Sequence, residues 1–89
     1  MKVAVPTPEA PTVVTADGSG EHQYAIIAVG VQGRRTPASR STKAGGRATL
    51  QWDSVAGADA YVVLRDGQEV AGPLRIEGAQ KKWTDPSPP

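Results

Sequence analysis

A single histidine, His22, and no cysteine leave this 89-residue chain few routes to catalysis. Histidine moves protons readily near neutral pH, but a lone imidazole needs a group to orient it or a nucleophile to activate. His22 opens a β-type run and reads first as structural. The chain has neither a Gly-x-Ser-x-Gly turn nor a thiol, so an activated nucleophile is lacking as well. Asp53, Asp59, Asp66 and Asp85 sit in or beside turn-forming stretches, where a short carboxylate satisfies backbone amides. Paired-carboxylate hydrolysis would need two of them facing one cleft, and their spacing predicts no such pair. One imidazole and no thiolate exclude a structural zinc site. Calcium held between aspartate-bearing loops is the weaker alternative, because the Asp-x-Asp pattern with its fixed glycine is missing. No enzyme, cofactor or metal is expected.

Two other residue sets carry chemistry of a binding kind. Arg34, Arg35, Arg40, Lys43 and Arg47 place five cations within fourteen residues, with no acid among them. A nucleic-acid groove wants aromatic platforms interleaved with such charge, and there are none here, so nucleic acid is disfavoured as a partner. Cations along a hairpin and edge strand also discourage edge-to-edge pairing, and that or a protein contact is the preferred reading. The aromatics are Tyr24, Trp52, Tyr61 and Trp83. Stacking on a sugar ring would need one of them exposed on a flat face. Three fall at core-facing positions. Trp83, beside Lys81 and Lys82, reads either as a core residue or as an exposed anchor for a partner.

The elements that position these groups are strands. Proline and glycine recur every eight to twelve residues with no sustained helical period, which is the punctuation of a β-sandwich or barrel. Residues 1–11, with Pro6, Pro8 and Pro11, form an extended, stiff arm leaning on the surface. Residues 12–16 make a first short strand and 22–31 the longest. On that long strand Tyr24, Ile26 and Ala28 share one face and Ala25, Ile27 and Val29 the other. Both faces are apolar, so the strand is central and covered on part of its second side. Residues 35–42 return as an edge strand interrupted by Pro37. Residues 47–52 and 60–65 follow, with Asp66-Gly67 as a tight hairpin. Residues 68–71, 74–77 and 82–85 are shorter strands parted by Gly72-Pro73 and Gly78-Ala79. Residues 86–89 (Pro-Ser-Pro-Pro) are a tail that cannot pair. One domain over 12–85 results, with a core of Val14, Tyr24, Ile26, Ala28, Leu50, Trp52, Tyr61, Val63 and Ile76.

Two segments resemble parts of a fibronectin type III domain in rearranged order. Residues 48–52 (Ala-Thr-Leu-Gln-Trp) and 57–67 are similar to that family's strands B and C, and residues 83–88 to the close of strand E. Residues 22–29, followed by Gly33 and by Pro37-Ala38-Ser39, look like strands F and G. The resemblance implies an all-β, antiparallel two-sheet sandwich of the Ig or fibronectin type III kind, with the F-G hairpin ahead of B-C-E. It implies that Trp52 and Tyr61 pack together, and that His22 stands where the family has its corner tyrosine, with Tyr24 as partial substitute. Strand F lies beside strand C in such a sandwich, so residues 22–31 should pair with 59–65. That closure is expected within one chain, with both termini at one end, rather than by exchange of the F-G hairpin between subunits.

The arm, hairpin, crossover and B-C-E order also resembles repeats of bacteriophage virion proteins. The implied function is a non-enzymatic structural or adhesive module of a particle, a head decoration or a tail or fibre accessory. Its partners would be capsid or tail proteins or other copies of itself, contacted through Pro6, Pro8, Pro11, Arg34, Arg35 and Trp83. The alternative is a carbohydrate- or cell-surface-binding module from a larger, secreted or surface protein. Net charge of +1 argues for no polyanion, although residues 1–47 carry +3 and residues 48–89 carry −2. No signal peptide or membrane span is read, and the lack of cysteine fits assembly in a host cytoplasm.

Overall fold

The computed structural model describes residues 7–15, 21–30, 33–45, 48–75 and 80–85. They contain seven strands: β1 (Thr12–Thr15), β2 (His22–Gly30), β3 (Thr42–Ala44), β4 (Thr49–Asp53), β5 (Ala58–Arg65), β6 (Gln68–Leu74) and β7 (Gln80–Thr84). None of the described residues is helical. The expected positions Pro6, Arg47 and Ile76, Gln32 of the expected Gln32-Gly33 hairpin turn, and the tail 86–89 lie outside the described residues.

The strands form two antiparallel sheets, one ordered β1-β4-β7 and the other β3-β2-β5-β6. The longest contact is β2 on β5, running from Tyr24 opposite Arg65 to Gly30 opposite Ala58. The expected alignment of residues 22–31 with 59–65 is therefore present, although β3 and β4 intervene in the chain. Alternation then sorts the side chains. Tyr24, Ile26, Ala28, Tyr61 and Val63 turn toward Leu50 and Trp52 of the other sheet and make one core with Ala44 and Ala48. All of the expected core residues among these are buried. On the opposite face, Val29, Ala60 and Val62 form a second buried cluster flanked by Ile27 and Leu64, so β2 is covered on both sides.

Val14 is a correction: it is 45% exposed, and Val13 packs on the core instead. Val13 is the residue opposite the inward Leu50 of β4, so alternation turns Val14 outward, and the register then slips before Thr15. Residues 35–42 are a second correction. Only Arg35 bridges β2, opposite Val29, and β3 begins at Thr42. Between them two hydroxyls stand in for ladder carbonyls. The amides of Ala28 and Ile26 donate to Thr36 Oγ1 (3.1 Å) and Ser39 Oγ (2.9 Å). In return, the amides of Thr36 and Ser39 donate to the carbonyls of Ala28 and Ile26, each at 2.9 Å. The segment stays bonded to β2 while Pro37 keeps it from being a regular strand.

Residues 68–74 are one strand rather than two pieces parted at Gly72-Pro73. Gly72 is required there: its φ is +127°, and a Cβ would lie 2.8 Å from the Tyr61 carbonyl oxygen. The β5–β6 turn is the expected tight hairpin, with φ of 52° at Asp66 and 83° at Gly67. The described chain does not begin and end at one end of the sandwich. Residues 7–10 lie beside residues 51–56, at the Asp53 end of β4. The last described residue, Asp85, donates its amide to the Ala48 carbonyl at the other end (2.9 Å). The crossover orders β2 ahead of β4, but β1 precedes both, and this separates the two ends.

Candidate interaction surface

At the Ala48 end a charged group closes the core. Tyr24 and Arg65 are opposite residues of β2 and β5, so both point inward, and an inward arginine needs a counter-ion. Asp85, 1% exposed, supplies it. Arg65 Nη1 donates to Asp85 Oδ2 at 2.9 Å and to Oδ1 at 3.1 Å, and the Tyr24 hydroxyl donates to Oδ2 at 2.5 Å. Burial, with the Asp85 hydrogen bond behind it, pushes the Tyr24 phenol up from 10.0 to about 12. The hydrogen bond to Asp85 likewise holds Arg65 above its ordinary value. Each partner is satisfied by the others, and the group fastens β2, β5 and the end of β7 together.

His22 serves the neighbouring turn. Asp66 Oδ1 accepts the Gln23 amide at 2.9 Å, and Oδ2 lies 2.6 Å from His22 Nδ1. The Gln23 amide first, and His22 second, hold the Asp66 carboxyl below the usual carboxylate range. The contact pins the β5–β6 turn to the start of β2, which is a structural role. Among the described residues no three His, Asp or Glu side chains gather as a metal site.

The basic run is divided. Arg35 Nη1 reaches Glu69 Oε2 at 2.6 Å, and Lys43 Nζ lies 3.8 Å from Glu21. Arg34 and Arg40 make no ion pair among the described residues. The Arg35 bridge spans two strands. Arg35 is opposite Val29 and Glu69 opposite Leu64, so their side chains meet across the outer face over the row of Ile27 and Val62. Val62, on that outer side, has no exposure; the backbone at Gly72 closes on it and Val29, Ala60, Ile27 and Leu64 pack around it.

Pro8 and Pro11, expected at a partner surface, are buried against their own chain, while Thr7, Glu9 and Ala10 are exposed. Thr42 Oγ1 donates to the Pro11 carbonyl at 2.6 Å. The arm runs along the seam between the sheets with open grooves of about 560 and 490 Å³ on its two sides. Trp83 is half-buried on the inner face opposite Leu50, its ring 6.4 Å from that of Tyr24. Trp52 and Tyr61 do pack together, with ring centroids 5.8 Å apart. Lys81 faces inward beneath them, its Nζ 5.9 Å from the Tyr61 ring centre, so the polar look of β7 came from a lysine whose stem is core.

The group that sequence reasoning missed is Tyr24–Asp85–Arg65. Its signal was present: pairing 22–31 with 59–65, together with alternation through Tyr61 and Val63, puts Arg65 inward. Among the described residues no helix is long and apolar enough to cross a membrane. Comparison with protein-family models, with curated proteins and with solved structures finds no match for this chain.

Proposed function

We infer that this chain is a non-enzymatic structural or adhesive module of a phage particle, placed on the head or serving the tail or a fibre, and acting through protein contacts. What supports the reading is one observation: β2 lies beside β5 although β3 and β4 come between them in the chain. If β4, β5 and β7 are taken as strands B, C and E and β2 and β3 as F and G, this is a fibronectin type III-like sandwich with F and G moved forward. That order resembles the arm, hairpin, crossover and B-C-E pattern of the virion repeats. Fold likeness alone does not assign a role, so the site must carry the rest. The polar clusters here hold strands and turns together, and Arg34, exposed on the hairpin and without an ion pair among the described residues, is the best protein-contact residue. Assembly in the host cytoplasm and residence in the virion follow from the reading.

The carbohydrate- or cell-surface alternative ranks second, because it needs an exposed aromatic. Tyr24, Trp52 and Tyr61 are buried, and Trp83 keeps one side against Tyr24. The test is co-sedimentation of the purified chain with particles whose genome encodes it. Binding is expected, with Arg34→Glu weakening it about tenfold, the scale of a modest arginine anchor. A chain that neither occurs in purified particles nor sediments with them has another function.

A further inference from the structure

We propose that the seam between the two sheets is a seat for polyproline-II segments with prolines three residues apart, filled here by the chain's own residues 7–11 and open in trans to the same segment of a second copy. The inference does not rest on the virion reading. It begins with spacing. In a β-strand, residues three apart point to opposite sides, whereas polyproline II has three residues per turn and returns them to one side. Pro8 and Pro11 are both buried, and Thr7, Glu9 and Ala10 between and beside them are exposed. A three-residue period gives that pattern, and strict strand alternation does not.

The segment is also held as such ligands are held. It belongs to neither sheet, and the polar tie shown for it is the Thr42 hydroxyl on the Pro11 carbonyl. Proline rings seated in a trough with few main-chain bonds are the economy of this recognition mode. The trough is wider than its occupant. Residues 7–10 line a groove with Trp52 and Val55 on one side and a groove with Ala38 and Arg40 on the other. Arg40 and Glu9 both line the second groove and both are exposed. No sheet ladder has to break for the segment to leave.

A second copy is the fitting occupant because its segment is identical, and exchange of an identical element needs no new complementarity. The segment in cis holds its advantage through effective concentration, of the order of millimolar for a short tether. Crowding of copies in an assembly offsets that advantage.

The experiment uses the full chain carrying Pro8→Ala and Pro11→Ala, titrated with a synthetic peptide of residues 1–11. Saturable binding is expected, at least ten times tighter than to the unaltered chain. It should move the amide signals of Ala38, Arg40 and Val55, and the same peptide with alanine at 8 and 11 should not bind. Equal binding of the two peptides, or none to the folded variant, overturns the seat. Should the double variant not fold, a spin label on Ala10→Cys, unique in a chain with no cysteine, decides the matter. Mixed with isotope-labelled unaltered chain at high concentration, it should broaden residues 38–42 of the other copy. No broadening of those residues in the isotope-labelled copy overturns the exchange.

Discussion

The core has an aromatic pair at each end, and the two ends are finished in different ways. At the Asp53 end Trp52 stands edge-on to Tyr61, whose hydroxyl accepts the Val55 amide at 2.7 Å, six residues back in the chain. At the Ala48 end Tyr24 stands edge-on to Trp83, and its hydroxyl donates to Asp85, sixty-one residues away, which Arg65 also grips. One end is closed by a neutral, local bond that fixes a loop. The other is closed by a charged, long-range one that fixes the fold's topology. The difference follows from the chain path: β4 leads into β5 by a short loop at the first end, whereas at the second β2, β5 and β7 must be joined though far apart in sequence. Ionic groups suit that task because they are satisfied only when all three strands are in place.

The widest separation between the ends comes from truncating the apolar one. Trp52→Ala removes the largest side chain of the Trp52–Tyr61 pair from a site only 4% exposed. The expected loss is about 3–5 kcal/mol, enough to unfold most of so small a domain, and urea titration of the variant measures it. Trp83→Ala, at a half-buried position, should lose less. If the two losses are equal, the ends do not differ in the way described.

How much of this was legible in the sequence turns on which residues answer to a period. Tyr24, Ile26, Ala28, Leu50, Trp52, Tyr61 and Val63 alternate with a clear period of two, and all are buried where alternation puts them. Val14 was misplaced because Thr12–Thr15 is β-branched at every position, so composition gives no preferred face and the pairing of Val13 with Leu50 decides. The 35–42 segment was misjudged because side-chain hydroxyls of Thr36 and Ser39 replace carbonyls, which composition does not distinguish from a strand. Pro8 and Pro11 read as a surface arm because nothing local says that a seam awaits them. The sheet edges, by contrast, are all legible afterwards. One edge has Pro37, one has Gly72-Pro73, β1 has its bulge and β7 its lysines, each a device against further pairing. Copies of this chain are therefore left to meet through faces, ends or the seam.

The polar end should respond to alkali. A phenol held neutral to about 12 in the folded chain, against 10.0 when unfolded, keeps its proton longer folded than unfolded. The stability this gives is complete below pH 10 and is lost as the pH rises from 10 toward 12. Two pH units correspond to about 2.7 kcal/mol, an upper value for that slope. Urea unfolding at pH 9, 10 and 11 should show the decline. Tyr24→Phe should abolish this part of it at a lower starting stability, since Asp85 then loses one of its partners. A Tyr24→Phe variant that declines as steeply as the unaltered chain would place the titrating group elsewhere.

The smallest effect belongs to the neutral bond. Tyr61→Phe keeps the ring and its edge-on contact with Trp52 but deprives the part-buried Val55 amide of its acceptor. A single hydrogen bond to a backbone amide is worth about 0.5–1.5 kcal/mol, and the Val55 amide lies near enough to solvent for water to replace part of that. The loss should stay local. Hydrogen exchange at Val55 and at Ala58, whose own amide bonds the Val55 carbonyl at 3.0 Å, should quicken while exchange in β2 and at the Asp85 amide stays slow. Faster exchange throughout would mean that the Asp53 end, too, carries the topology, and the contrast between a loop-fixing and a fold-fixing end would be lost.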